Sequence, residues 1–141
     1  VEADNPSLTS HGVGHDPQVV ILDPSRKIDK QYTAFKENTI HFTDELSNSN
    51  PEKNIQKILS KLYSLNIQSV LVEGGAKTLT GFIDSGSFDE IHAYFAPKLI
   101  GEGISIYNSK KKIADSLNLD IVKHETFDND IKITYYNKKA K

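Results

Sequence analysis

Along this chain the apolar positions alternate between helical spacing and short unbroken runs. Val19-Val20-Ile21-Leu22 is a continuous β-branched and aliphatic run that ends at Asp23-Pro24-Ser25, a turn signal. It predicts a strand buried on both faces. Thr39 to Thr43 reads as a further short strand. Asn50-Pro51-Glu52 is a helix start, with a capping side chain, a proline at the first helical position and an acid in the first turn. Ile55, Ile58, Leu59, Leu62 and Leu65 follow as a helical stripe that faces a core, and Asn66 ends it. Ser69 to Val72 predicts a second buried strand. It runs into Glu73-Gly74-Gly75 and then a helix that presents Leu79, Phe82 and Ile83 on one face and stops at Gly86.

Ile91 to Ala96 reads as the next strand, ended by Pro97, and Gly101-Glu102-Gly103 as a flexible loop. Leu119 to Thr126 and Ile131 to Tyr136 flank Asp128-Asn129-Asp130, which predicts a hairpin with Ile131, Ile133 and Tyr135 on one face. The order helix, short loop, apolar strand, Gly-Gly turn, helix is an α/β signature with parallel strands. A terminal antiparallel hairpin closing a mostly parallel sheet predicts a three-layer α/β domain.

The 141 residues suit one domain with a modest core, and a net charge of −2 gives no electrostatic case for nucleic acid or an anionic membrane. Lys110-Lys111-Lys112 reads as a solvated loop and Lys138-Lys139-Ala140-Lys141 as a frayed tail. There is no cysteine, so disulfides, thiolate catalysis and thiolate metal sites are excluded. No apolar stretch approaches bilayer length and no signal-peptide pattern opens the chain, so the cytoplasm is the expected location. The start at Val1, without Met, suggests a piece of a longer polypeptide.

The most pointed chemistry lies at Glu73-Gly74-Gly75. Glycines between a strand and a helix let a ligand approach the backbone, and a helix N-terminus carries about half a positive charge that suits a phosphate. The same glycines equally serve close helix–strand packing. The stretch is neither a Gly-x-Gly-x-x-Gly fingerprint nor a Walker loop. Lys77 and Thr78, in the first helical turn, offer further donors to an anion or to solvent. Asp4, in Asp4-Asn5-Pro6-Ser7-Leu8-Thr9, either caps a turn or offers a carboxylate to a ribose hydroxyl or an amide. Of the five histidines only His11 and His15 are close in sequence, and Gly12 and Gly14 argue against the helix that a metal pair would need. No metal site is expected. No nucleophile elbow is present.

Three motifs in order carry a resemblance. Ala3-Asp4-Asn5-Pro6-Ser7-Leu8-Thr9, then Val72-Glu73-Gly74-Gly75 with its short helix, then Phe88-Asp89-Glu90 and Ala96-Pro97-Lys98-Leu99-Ile100-Gly101 resemble the reductase half of the bifunctional riboflavin-pathway pyrimidine deaminase/reductase. The similarity covers residues 1–28 and 69–106. It implies a dihydrofolate-reductase-like α/β fold and an NADPH-dependent oxidoreductase. The implied reaction reduces the ribosyl group of 5-amino-6-(5-phosphoribosylamino)uracil to the ribityl group by hydride transfer. By motif position, Gly75, Ala76, Lys77, Thr78, Leu79, Thr80 and Gly81 would hold the cofactor pyrophosphate. Asp4 would lie at the cofactor and the reacting sugar, as the catalytic residue. Leu8, His11 and Glu73 would contact substrate, and Ser25 the cofactor.

The chain departs from the family pattern in places. Pro24 stands where the family commonly has Ser or Thr, with Ser25 next. His11 stands where an Arg suited to the substrate phosphate is common, and a neutral imidazole is a weaker phosphate partner. The family's first reductase strand and its zinc-binding deaminase half would lie upstream of Val1. The segment between Ile28 and Val70 looks short by one strand–helix unit. The expected protein is thus a reductase domain, residues 1–141, lacking its first strand, inactive alone if that strand is needed. The alternative is a non-catalytic nucleotide-binding or assembly module of the same fold. Expected partners are the small-molecule phosphoribosyl-pyrimidine substrate and, through an edge strand or the hairpin, a second copy of the chain.

Overall fold

The structure is a computed structural model that describes residues 4–43, 46, 51–112 and 115–138. The chain divides into two compact units, Val1–Ile58 and Leu59–Lys141.

In the first unit, β1 (Val20–Leu22) and β2 (Ile40–Phe42) form a parallel pair in the register Val20↔Ile40, Ile21↔His41, Leu22↔Phe42. Val19 and Ile21 are buried, whereas Val20 and Leu22 are half-buried, so the run is sealed on one face and partly covered on the other. The connection from β1 to β2 is made of turns and supplies its own core. Ile28 and the fully buried Ala34 pack with Val19 and Ile21, and Leu8, Tyr32 and Phe35 close around them.

Helix α1 (Pro51–Ser64) starts where the proline places it; its expected cap, Asn50, lies outside the described residues. Ile55, Ile58 and Leu62 are buried, as the stripe requires, while Leu65 lies beyond the helix end and is exposed. The end is set by Asn66, whose φ of +60° is left-handed. Its N–H reaches the Tyr63 carbonyl at 3.0 Å and the Ile67 N–H reaches the Leu62 carbonyl at 3.1 Å, the paired bonds of a Schellman stop.

In the second unit, α2 (Ala76–Asp84) ends in the same way. Gly86 has φ +67°, its N–H bonds the Ile83 carbonyl and the Ser87 N–H bonds the Phe82 carbonyl, both at 3.1 Å. Beyond it, β3 (Glu90–Phe95), β4 (Leu119–Phe127) and β5 (Asp130–Asn137) form an antiparallel sheet in the order β3-β5-β4. The hairpin is where the sequence puts it: Phe127 pairs with Asp130 and Asp128 takes φ +50° at the turn. Val122 is an extra residue in β4 between the Ile121↔Tyr135 and Lys123↔Thr134 pairs, a bulge. Asn137 locks the end of β5 to the α2–β3 connection, its backbone N–H bonding the Asp89 carbonyl at 2.9 Å and its side chain the Phe88 carbonyl at 3.0 Å.

Two expectations are corrected here. The sheet is not mostly parallel among the described residues: one parallel pair stands beside two antiparallel ones, because β3 takes β5 as its neighbour. Ser69–Val72 joins neither sheet, and Leu71 is 79% exposed, since an apolar run becomes a buried strand only when neighbours take up its backbone groups and cover its faces. On β5, Ile131, Ile133 and Tyr135 share one face, with Ile133 and Tyr135 half-buried and Ile131 44% exposed, while Thr134 on the other face is buried.

Candidate functional site

The expected site residues fall on three short segments. Asp4, Leu8 and His11 share the loop that opens the first unit. It is a strained loop: Asn5, Leu8 and His11 have φ values of +42°, +48° and +50°. Left-handed backbone costs a non-glycine residue about 1 kcal/mol, so the loop must be held by what it touches. Leu8 packs on the Val19/Ile21/Ile28/Ala34 cluster, and Asn5 Oδ1 accepts the Thr33 N–H at 2.6 Å. Farther along, Asp16 Oδ1 accepts the Ser10 N–H at 2.9 Å and its Oγ at 3.1 Å, while Lys36 Nζ stands 3.2 Å from Asp16 Oδ2. The Ser10 and Lys36 contacts hold the Asp16 carboxyl below its usual range. Asp4 and His11 are exposed on this framework.

Ser25 lies on the turn after β1, and its hydroxyl faces Asp23 Oδ1 at 3.3 Å. Sequence reasoning gave Asp23 no role beyond a turn signal, yet it organises the turn. Asp23 is only 4% exposed, and its Oδ2 accepts the Ile28 N–H at 2.8 Å and lies 3.3 Å from His41 Nε2. Burial works against the charged carboxyl, but backbone N–H groups of Ile28 and Lys27 and the His41 ring prevail, and the group sits below its ordinary value. The readable signal is an acid at the very end of an apolar run, directly before Pro-Ser.

The third segment is Glu73 to Gly81. Glu73, Gly74 and Gly75 are exposed. Gly75 caps α2 with extended backbone, φ −73° and ψ 170°, and no side chain caps the helix end. Its carbonyl accepts the Thr78 and Leu79 N–H groups at 3.0 and 3.2 Å. A Cβ built on Gly75 meets nothing within 4 Å, whereas one on Gly74 meets Thr78 Cβ at 3.4 Å. So neither left-handed backbone nor packing explains the glycine at 75; what its missing side chain leaves is open approach to the start of α2. Ala76, Lys77 and Thr78 form the first turn of that helix. Leu79 and Thr80 are half-buried, Thr80 Oγ1 accepts the Asn108 N–H at 2.9 Å, and Gly81 is buried in the helix interior.

A second acid missed in sequence holds α2 from its other end. Asp84 accepts the Tyr107 hydroxyl at 2.8 Å and the Ser109 hydroxyl at 2.9 Å, with Lys111 Nζ 3.3 Å away. Lys111, read as part of a solvated run, also donates to the Asp84 carbonyl at 3.1 Å. Among the described residues there is no group of three or more His, Asp or Glu side chains arranged to hold a metal, and no helix is long and apolar enough to cross a membrane.

Glycines ahead of a helix with no side-chain cap are an arrangement that α/β folds use at anion sites. Comparison with known proteins defines the family. Residues 1–133 match the family model described as the RibD C-terminal domain, and the chain belongs to that family. It is 34% identical over 152 residues to the riboflavin biosynthesis protein RibD of Aquifex aeolicus, across 94% of this chain and 42% of that protein. It is also 34% identical over 108 residues to the Corynebacterium ammoniagenes protein of the same name, across 73% of this chain and 30% of that one. The chain thus spans less than half the length of these relatives.

Among solved structures, a diaminohydroxyphosphoribosylaminopyrimidine deaminase/5-amino-6-(5-phosphoribosylamino)uracil reductase from Thermotoga maritima superposes with a TM-score of 0.81 at 28% identity, over 97% of this chain and 42% of that one. Acinetobacter baumannii RibD shares the fold, with a TM-score of 0.74 at 23% identity over 96% of this chain and 44% of that one.

Proposed function

We propose that this chain is the reductase module of a riboflavin-pathway enzyme, and that it binds NADPH and reduces the ribosyl group of 5-amino-6-(5-phosphoribosylamino)uracil to ribityl. The observation that carries the reading is the open backbone at Gly75, at the head of a nine-residue helix with no side-chain cap, in a chain of the RibD C-terminal family. A pyrophosphate fits there: the glycine leaves room for close approach, the helix end attracts the anion, and Lys77 and Thr78 add donors in the first turn.

When bound, the cofactor supplies the hydride, which goes to C1 of the ring-opened sugar; the protein supplies position and electrostatics. In this reading the segment Gly75 to Gly81 seats the pyrophosphate, and Glu73 accepts a hydrogen bond from the pyrimidine. Ser25 offers its hydroxyl to the cofactor from the turn after β1. Leu8 and His11 face the substrate, while Asp4 meets the cofactor and the reacting sugar from the strained opening loop. A completed dihydrofolate-reductase-like sheet would give Ser69–Val72 the neighbours that make it a strand.

Calorimetric titration of the chain with NADPH and NADH tests the reading, followed by substrate turnover with and without Glu73→Ala. NADPH binding, and turnover that falls in the variant, are expected. Absence of any dinucleotide binding, or turnover indifferent to Glu73, would sink it.

A further inference from the structure

The loop that carries Leu8 and His11 is bent in a way its own residues disfavour. Leu8 and His11 take left-handed φ values of +48° and +50°, and Gly12 and Gly14 continue the pattern at +83° and +81°. His11, Val13 and His15 are exposed. A non-glycine residue stays in that region only where its surroundings hold it there. Ser10, next to His11, is where the hold is made. Its N–H donates to Asp16 Oδ1 at 2.9 Å and its hydroxyl to the same oxygen at 3.1 Å, while its carbonyl accepts the Val13 N–H at 3.0 Å. Asp16 thereby closes residues 10–16 into a ring with His11 beside the clasp. The other carboxylate oxygen of Asp16 meets Lys36 Nζ at 3.2 Å. Lys36 is a firm base, because its N–H donates to Thr39 Oγ1 at 2.8 Å, its carbonyl accepts the Thr39 N–H at 3.0 Å, and the fully buried Ala34 lies two residues before it. The upstream end of the loop, beside Asp4, has a different tie, from Asn5 Oδ1 to the Thr33 N–H at 2.6 Å.

We propose that Asp16 is a positioning residue for the phosphate end of the substrate site: by clasping Ser10 it fixes where His11 presents its imidazole. The proposal rests on the reductase reading given above, in which His11 faces the phosphoribosyl substrate. An imidazole is a weaker phosphate partner than an arginine fork, so its contribution depends on being in place before the ligand arrives. Lys36 has a second part in this arrangement. An unpaired carboxylate close to the site would repel a phosphate, and Lys36 offsets that charge from Oδ2 while Oδ1 stays with Ser10. The clasp is local. The side chains of Asp16 and Lys36 are 49% and 32% exposed, and an ion pair so open to solvent adds little to global stability. Loss of Asp16 therefore frees the tip of the loop and leaves the packed Val19/Ile21/Ile28/Ala34 cluster in place.

The test is a set of titrations with NADPH, with 5-amino-6-(5-phosphoribosylamino)uracil and with its dephosphorylated form. They are run on the wild-type chain, Asp16→Ala, Asp16→Asn, His11→Ala and the double variant Asp16→Ala with His11→Ala. Asp16→Ala is expected to weaken the phosphorylated ligand about three- to tenfold, the range left to charge-assisted hydrogen bonds at an exposed site, with NADPH and the dephosphorylated form unchanged. Asp16→Asn keeps an oxygen acceptor for Ser10 and recovers most of the loss. In the double variant Asp16→Ala adds nothing to His11→Ala, since the group it places is gone. Equal losses for all three ligands would mark a purely structural role, and full affinity for the phosphorylated ligand in Asp16→Ala would leave Asp16 no role. Either outcome, or additive losses in the double variant, overturns the proposal, while NADPH binding keeps the reductase reading standing. A wild-type chain that binds NADPH but does not favour the phosphorylated ligand overturns it as well. Binding of neither NADPH nor the pyrimidine overturns both.

Discussion

Tyr107 donates its hydroxyl hydrogen to Asp84 Oδ1 at 2.8 Å, fastening the segment after β3 to the last residue of α2. Ser109 and Lys111 converge on the same carboxylate. A hydrogen bond to a charged, largely covered acceptor contributes about 1.5–3 kcal/mol. Tyr107→Phe is therefore expected to lower the unfolding free energy by about 1–2 kcal/mol, read as a lower urea midpoint at constant m-value. Asp84→Ala, which leaves three donors without their acceptor, costs more. An unmoved midpoint in both variants would show that the cluster adds nothing to the fold.

Gly75 separates packing from ligand binding. Its backbone is accessible to any residue and its surroundings are empty, so Gly75→Ala should leave the thermal midpoint within the change typical of a neutral surface substitution, about 0.5 kcal/mol. NADPH affinity, by contrast, falls if the pyrophosphate approaches the backbone there, and Gly75→Val lowers it further. Full affinity in the valine variant refutes the pyrophosphate assignment.

Gly86 behaves in the opposite way. Its φ of +67° is left-handed, so Gly86→Ala strains the stop of α2 although a Cβ there meets nothing within 4 Å. The expected cost is about 1 kcal/mol. Asn66→Gly, at the equivalent stop of α1, is expected to be neutral or slightly stabilising, since glycine adopts the same backbone more readily. Chemical denaturation of the two variants side by side checks both signs.

Asp23 sets an acid limit. Despite burial, which works against its charged form, its hydrogen bonds to Ile28, Lys27 and His41 hold the carboxyl below the ordinary value. A carboxylate depressed in the fold contributes stability above its unfolded pKa, near 3.9, and that contribution is lost as pH falls through the folded value. Asp23→Asn should thus be less stable than wild type at pH 7, with the difference shrinking below about pH 4. Unfolding curves from pH 7 to pH 2 give the comparison; a pH-independent gap would contradict the linkage.

Much of the local structure is written in the chain. Pro51 opens α1, Ile55, Ile58 and Leu62 bury its stripe, and Asn66 and Gly86 supply the two left-handed stops. Asp128-Asn129 marks the hairpin. These are short-range effects, decided by residues within a turn or two of one another. Pairing is different. Val70, Leu71 and Val72 have a strand's composition, but composition does not name a neighbour, and here they have none in either sheet. The same limit applies to burial on β5: alternation sorts Ile131, Ile133 and Tyr135 onto one face, but how deeply each is covered depends on what packs outside the strand. At the candidate site, Glu73 and Gly75 are both exposed, with Gly74 between them. Asp84 is hard to read in sequence because its partners Tyr107 and Ser109 lie 23 and 25 residues away, whereas Asp23 is held mainly by backbone N–H groups of Lys27 and Ile28 within the same turn, with His41 added from the next strand.

The order β3-β5-β4 carries a consequence for solvent exchange. β5 is bracketed on both sides, so its amide hydrogens are engaged with one neighbour or the other along its length. β3 and β4 each lend only alternate amides to the sheet and turn the rest outward. Deuterium uptake should therefore be uniformly slow along Ile131–Tyr136 and should alternate between slow and fast along Ile91–Tyr94. Any strand that docks on the outer side of β3 would erase that alternation residue by residue, recording its own register in the exchange pattern.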